Sequence, residues 1–434
     1  TVNQTYYIAL LPNAVEDLND NGITTTQSGI FTTANPSISF VSNFIIVNEN
    51  QGTLSLVLNI ANPATSLVDL VVKSAPFSTA DNSDFILASQ TIFITESSPA
   101  TLTITIPIID DSLEEQHSEY FVLSLESASG ISISGTPTTT IYIVDNDSQA
   151  PIPSNQIELN YIGSFDPSGA STSTCEIVVH DAASQRLFTT SAVAGYLDII
   201  DFSNPTNPSV ISSVNINPYG GVTSVAVKNG IVAVASPNAD ETLNGSVVFF
   251  NTNGTFLNQV TVGALPDMIT FSPDGTKVMT ANEGQPNTDY SIDPEGSVSI
   301  IDISGGIASL SQSNVTTLLF TAYNAQEATL IASGVRKLKS TSTLSQDFEP
   351  EYITISADSQ KAWVTLQENN AVVEINLATT TFTDIWALGT KDVSLPGNGM
   401  DISDNNGQVL IANWPIQAFY MPDAVANYTI GGTT

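Results

Sequence analysis

The side chains in this sequence best placed to do chemistry are carboxylates, and they recur at the ends of alternating apolar runs. Glu49 closes "IIVNEN", Asp84 sits in "NSDF", and Asp110 and Asp111 end "IPIIDD". Glu115 and Glu119 follow in "EEQHSEYF", and Asp145 and Asp147 finish "IYIVDND". A second set occupies one position just ahead of a strand in successive repeats: Glu176 in "TCEIVV", Asp267 in "LPDMIT", Glu351 in "EPEYIT" and Asp423 in "MPDAVA", with Ser224 of "VTSVAV" in the same place. A third set, Glu283, Asp289, Asp293 and Glu295, falls in the loop "ANEGQPNTDYSIDPEGS". Carboxylates gathered from separate strands raise one another's pKa and repel unless a cation joins them. Calcium suits such a set, because it takes roughly six to eight oxygen ligands, several of them anionic, on adaptable loops.

Other chemistries lack their parts. Phosphate-ester hydrolysis needs a metal cluster with His ligands or a positioned nucleophile, together with cations to hold phosphate. The chain has two histidines, His117 and His180, far apart in sequence, and no GxSxG, HExxH or phosphate-cradling Gly-rich loop with Lys. His117 reads as a solvated residue among acids, and His180 in "VVHDAASQRLF" as structural. Cys175, the single cysteine, opens the apolar run "CEIVV" and reads as a buried small hydrophobe. Glu349 and Glu351 in "EPE" fall on one face of a strand and keep a carboxylate pair for glycoside hydrolysis open. No residue is assigned a catalytic role.

Charge narrows the partners. Forty-three acidic residues against nine basic ones give a formal net charge of -34. Such a surface repels phosphate backbones and anionic lipid, so nucleic acid and membrane surfaces are not expected partners and cations are. No apolar run is long enough to span a bilayer.

The elements that must position these acids are strands. Alternation of period two runs through almost the whole chain, and Thr, Ser, Asn, Val and Ile dominate, which predicts an all-β protein. One helix is expected within "AYNAQEATLIASGV", residues 322–335. Seven short strand runs between residues 36 and 148 have the count and turn spacing of a β-sandwich. "SQAPIPSNQ" then reads as a linker over 149–156. From 157 to 434, units about 45 residues apart repeat strand, polar turn, strand, loop, strand, which is the grammar of propeller blades. A fifth unit begins at "MPDAVANY", so the propeller is expected to be cut short at its C-terminus.

Three resemblances add to this reading. The run "NAVEDLNDNGITTTQSGIFTTA" resembles the closing hairpin of a bacterial Ig-like repeat, which makes residues 1–35 the expected remnant of such a domain within a longer chain. Residues 36–148 resemble a Calx-beta domain, on "VNENQGTLSLVL", "NSDF", "IPIIDDSLEEQHSEYF" and "IYIVDND". That resemblance implies an Ig-like sandwich and Ca2+ bound by Glu49, Asp84, Asp110, Asp111 and Asp145 to Asp147, although "EQHSEYF" is one residue longer than the family's usual spacing. Residues 156–434 resemble the choice-of-anchor I family of secreted bacterial proteins, sometimes labelled alkaline-phosphatase-like, on "HDAASQRLF", "VTVGALPDMITFSPDGTKVMTANEG", "DFEPEYITISADSQKAWVTLQENNAVVEINLAT" and "NWPIQAFYMPDAVANY". This implies export and attachment to a bacterial cell surface.

Together these readings predict a calcium-binding, secreted or surface-displayed adhesion protein whose propeller presents an acidic face to an extracellular protein or glycan. Two alternatives stay open: a metal-dependent hydrolase of phosphoesters or glycosides working with the channel-mouth carboxylates, and a passive stalk or surface-layer component.

Overall fold

The computed structural model describes residues 5–10, 27–32, 35–115, 118–147, 159–167 and 175–430. His117, the linker at 149–156 and most of the run that resembles an Ig-like repeat lie outside them. Within that run, β1 (Thr5–Leu10) pairs antiparallel with β2 (Gln27–Thr32). The described residues are almost entirely strands and turns, as the alternation predicts. They divide into two compact units, one formed by residues 1–154 and 391–418, the other by 155–390 and 419–434.

The first unit holds the sandwich. One sheet orders β10 (Ser132–Ile133), β3 (Ser37–Phe40), β5 (Thr53–Ala61) and β8 (Thr101–Pro107). The other orders β4 (Phe44–Asn48), β11 (Thr138–Val144), β9 (Glu119–Ser129), β6 (Ser66–Val72) and β7 (Gln90–Ile94). Between β3 and β4 the chain bends at Val41–Asn43 and crosses from one sheet to the other, so the apolar run "ISFVSNFIIVNEN" supplies two strands. Ser42 holds that bend: its Oγ donates to the carbonyl of Phe44 and accepts from the same residue's N–H. Every second residue of β5 is buried (Leu54, Leu56, Leu58, Ile60), and these side chains meet Phe121, Leu123 and Ile141 of the facing sheet in one apolar core. Burying a side chain of this kind contributes roughly 1.5–3 kcal/mol. Phe85 stacks on Phe121 with ring centroids 3.7 Å apart and so anchors the loop that carries Asp84.

Residues 391–418, expected within the propeller, belong to the sandwich unit instead. The physical reason lies on the sandwich's outer face, where Tyr120 and Tyr142 would otherwise expose large rings. Leu410, Ala412 and Trp414 cover them, and Trp414 stacks on Tyr120 at 4.3 Å while its Nε1 donates to the carbonyl of Met400.

Among its described residues the second unit contains four four-stranded antiparallel sheets, the blades expected from the repeat. Blade 1 runs β12 (Cys175–Asp181), β13 (Arg186–Ser191), β14 (Tyr196–Asp201) and β15 (Ser209–Asn215). Blade 2 runs β16 (Ser224–Lys228), β17 (Ile231–Ser236), β18 (Asn244–Asn251) and β19 (Phe256–Ala264). Blade 3 runs β20 (Pro266–Phe271), β21 (Lys277–Asn282), β22 (Ser297–Asp302) and β23 (Val315–Leu319). Blade 4 runs β24 (Pro350–Ile355), β25 (Lys361–Leu366), β26 (Ala371–Asn376) and β27 (Thr381–Ala387). First strands of successive blades approach one another, β12 to β16, β16 to β20 and β20 to β24, so residues at equivalent places on them share one channel. The central strands β17, β21 and β25 are buried almost throughout.

Two expectations are corrected here. Cys175 is exposed, because β12 is covered on one side only and its alternate residues face outward. The helix expected over 322–335 is confined to Glu327–Ala332; Phe320–Gln326 winds as a tighter 3-10 turn, and Gly334, at φ +106°, takes the chain out of helical geometry. The unit beginning at "MPDAVANY" forms no ladder strand over Met421–Thr429, where Asn427 donates instead to Thr354 Oγ1 and the Ile355 carbonyl of blade 4.

Candidate metal centre

One end of the sandwich gathers the acids of three separate connections, after β4, between β8 and β9, and after β11. Strands β4 and β11 run parallel and finish there, β9 starts there antiparallel to β11, and the chain leaving β8 passes the same end. Glu49 occupies a 3-10 turn directly after β4, and Asp145 and Asp147 directly follow β11. One ligand oxygen from each of Glu49, Asp110 and Asp147 lies within 4.8 Å of the others, and the same holds for Glu49, Glu115 and Asp145. Glu49 belongs to both groups, so it is the hinge of the cluster.

Backbone amides hold the loops in this arrangement. The N–H of Asp111 donates to Glu49 Oε1 at 3.0 Å, and that of Glu115 to Asp145 Oδ2 at 2.9 Å. Asp147 N–H donates to Asp145 Oδ1, and Asn146, from the "DND" turn, accepts from the Asn50 N–H and donates to Asp110. Asp111 accepts from the Leu113 N–H in its own turn, within the range of the cluster's field but outside both metal-competent groups. Asp84 and Glu119 form a neighbouring pair, carboxyl to carboxyl, where burial and then Asp84 push Glu119 well above the usual range.

The electrostatics show what is left uncompensated. Glu49 is only 5% exposed, and its Oε2 has no hydrogen-bond partner; Asp147 Oδ2 is likewise buried and unpaired. Burial first, then Asp111 and Asp145, raise the Glu49 pKa against the pull of the Asp111 amide. Glu115 is pushed up to about 7 by burial and then by Asp145, Glu49 and Asp111. Asp147 is raised by burial and then by Asp145 and Asp110. An all-oxygen set with two orphaned carboxylate oxygens fits a hard divalent ion, and Glu49, Asp110, Glu115, Asp145 and Asp147 are the residues that would hold it.

A second cluster sits at the channel mouth, and its membership differs from the sequence reading. Asp267 and Glu351 come together there as expected, but their third partner is Glu283, which the sequence places with the loop acids. Each of the three offers an oxygen within 4.8 Å of the other two. Glu176 and Asp423 stand further out, acting on Asp267 through their charge, and Gln367 donates to Asp423. Burial, then Glu176 and Asp423, push Asp267 up to about 6. Glu283 and Glu351 face each other carboxyl to carboxyl; burial is the main cause that raises both, with Asp267 adding to it. Glu349 is pushed up to about 7 by burial and then by Glu368 and Asp347.

Local geometry aims these side chains. The ladder slips between Pro266 and Met268 in β20 and between Pro350 and Ile353 in β24, so Asp267 and Glu351 sit in bulges; Glu176 sits in a third, between Cys175 and Val178. A bulge re-aims a side chain out of the regular alternation. Blade 2, which carries Ser224 at this place, pairs β16 with β17 without a slip. Glu283 is fixed from behind by Gly284, whose φ is +66°; a Cβ there would meet the Glu295 carbonyl at 2.7 Å, so the long loop is pinched shut at its base.

The remaining loop acids do other work. Asp289 accepts from the Ser291 N–H, Asp293 from the Ser342 hydroxyl, and Glu295 from the Ser345 hydroxyl. His180 is exposed, with its ring edge-on to Phe202. Two participants escaped the sequence reading. Asn146 was legible as the middle of "DND". Glu368 stands two residues after β25 in "LQENNA", one place beyond the position that Glu283 holds directly after β21, so the repeat aligns Glu283 with Gln367 and carries no signal for Glu368.

An all-β molecule with a carboxylate-tipped sandwich and acid-mouthed propeller blades is thus defined. The family model of the choice-of-anchor I domain matches residues 176–434, more than half of the chain, and the chain belongs to that family. Among solved structures, the apo form of the Calx CBD1 domain is similar at 19% identity and a TM-score of 0.24, over 26% of this chain and 99% of its own. The β-propeller domain of Cps50 (Swd1) from Myceliophteria thermophila is similar at 11% identity and a TM-score of 0.34, over 51% of this chain and 56% of its own. Luciferin-regenerating enzyme is similar at 13% identity and a TM-score of 0.33, over 54% of this chain and 74% of its own. Comparison with curated proteins gives no match. No helix among the described residues is long and apolar enough to cross a membrane.

Proposed function

We propose that this is a surface-associated, calcium-binding protein in which ions at the sandwich tip stiffen the first unit while the propeller presents an acidic face to an extracellular protein or glycan. The family's name points to attachment outside the cell. One observation carries the calcium reading: Glu49 reaches both carboxylate groups at the tip while its Oε2 stays buried and unpaired. A buried carboxylate oxygen with no donor costs free energy that a bound cation removes. Asp84 and Glu119 extend the same negative field toward β9, and Asp111 closes the loop around Glu49.

Calorimetric titration of the full chain with calcium tests this reading. Binding with micromolar to millimolar affinity, lost in Glu49→Gln and Asp145→Asn, is the expected outcome; titration heats equal to those of dilution would remove it. Retention of immobilised extracellular glycans or proteins by the chain in calcium, and not in chelator, tests the adhesion half. The hydrolase alternative draws on the Glu283–Glu351 carboxyl pair. Turnover of phosphoester or glycoside substrates that disappears in Glu351→Gln would put it first.

A further inference from the structure

The channel-mouth carboxylates stand apart from the sandwich tip, in the other unit and on other elements, and they carry an inference of their own. Glu283 is 7% exposed, so its carboxylate is withdrawn from water. Among the described residues no N–H or hydroxyl donates to it, and what it faces is Glu351. Two carboxylates pointed at each other attract only when a proton or a cation lies between them. Glu368, from the equivalent turn of blade 4, adds a second mark of a missing partner: its Oε2 is buried with no hydrogen bond, and its charge acts on both Glu349 and Glu351. The acids acting on Asp267, Glu176 and Asp423, lie further out, so the deepest point of the mouth is the meeting of Asp267, Glu283 and Glu351.

Geometry separates this cluster from a chance run of surface acids. Asp267 and Glu351 each sit in a strand bulge, whereas β16 of blade 2, with Ser224 at the corresponding place, pairs with β17 without one. The three oxygens lie within 4.8 Å of one another. Two oxygens bound to one calcium ion at about 2.4 Å each can be at most about 4.8 Å apart, a limit that all three pairs of these oxygens meet. We propose that Asp267, Glu283 and Glu351 form a divalent-cation site at the propeller mouth, with calcium the ion their hard oxygens suit, and that Glu349 and Glu368 deepen the negative field around it. The site joins the first strands of blades 3 and 4 to the turn after β21, so a bound ion ties two neighbouring blades together at the channel.

The test counts calcium on the full chain by equilibrium dialysis at fixed pH. It compares the unaltered protein, an Asp267→Asn/Glu351→Gln variant and a Glu49→Gln/Asp145→Asn variant. The mouth variant is expected to bind one ion fewer than the unaltered chain and keep the tip complement; the tip variant is expected to keep the mouth ion. Because the double change at the mouth could disturb folding, Glu283→Gln is measured beside it: nearly the same shape, one ligand removed, and an expected loss of at least tenfold in affinity for that ion. An unchanged ion count in the mouth variant, or an unchanged affinity in Glu283→Gln, overturns the proposal. So does a mouth that takes up protons, followed potentiometrically, while binding no ion. Failure at the tip alone would leave this site standing, since the two variants report separately.

Discussion

The two acid clusters are built on opposite plans. At the sandwich tip, Glu49, Asp110, Glu115, Asp145 and Asp147 hang on loops and turns, and backbone amides of Asp111, Glu115 and Asp147 already satisfy part of their charge. At the propeller mouth, Asp267 and Glu351 are fixed in strand bulges, Glu283 is pinned by the Gly284 turn, and the partners they meet are other carboxylates. The contrast teaches how a chain this acidic can tolerate like charges at close range. Loops can spread apart and recruit amides when no cation is bound, while strands cannot. The tip is therefore expected to change shape with its ions, and the mouth to change protonation.

Calcium removal should produce the largest effect. A ligand present at about 100 times its Kd stabilises the folded state by roughly 2.7 kcal/mol, equivalent to a shift of about 5–10 °C for units of this size. Scanning calorimetry in calcium and in chelator should show a drop of that order in the first unit's unfolding, and coincident traces would break the comparison at its root.

The pH response of the chelated protein comes next. Glu115 and Glu349, both raised to about 7, and Asp267, raised to about 6, bind protons more tightly folded than unfolded. Such groups favour the folded state fully below their ordinary carboxylate range and lose that contribution as pH rises through 6 to 7. Melting temperature in chelator should consequently fall between pH 5 and pH 8, and calcium should flatten that slope. A slope of opposite sign would mean that amide hydrogen bonds, not repulsion, dominate both clusters.

A smaller effect separates the clusters. Glu49→Gln should weaken calcium at the tip by about tenfold or more, since it removes charge from the residue common to both carboxylate groups there. Terbium or calcium titration that shows equal weakening at the mouth would mean the two are not independent. Least of all should happen on changing Asp289→Asn, because that acid serves an exposed turn: calcium binding should stay the same and stability should move by less than about 0.5 kcal/mol.

Much of this was legible in the residues. The alternation of "GTLSLVLNIA" reads directly as β5, with every second side chain inside, and the acids that follow apolar runs do converge at a sandwich end. The repeat of "PDMIT" and "PEYIT" located Asp267 and Glu351. The break inside "ISFVSNFIIV" was not legible, since a change of sheet costs no change of period. Nor was the place of residues 391–418, because the rings of Tyr120 and Tyr142 that they cover lie far away in sequence.

By itself, then, the sequence determined the strand content, the blade repeat and the excess of carboxylate, because periodicity and charge are local properties of neighbouring residues. Which acids share a site was decided only by the tertiary structure. Glu283 leaves its loop companions for Asp267 and Glu351 because a bulge, a left-handed glycine and the packing of neighbouring blades bring their oxygens together, and none of these distances is written in the spacing of the residues along the chain.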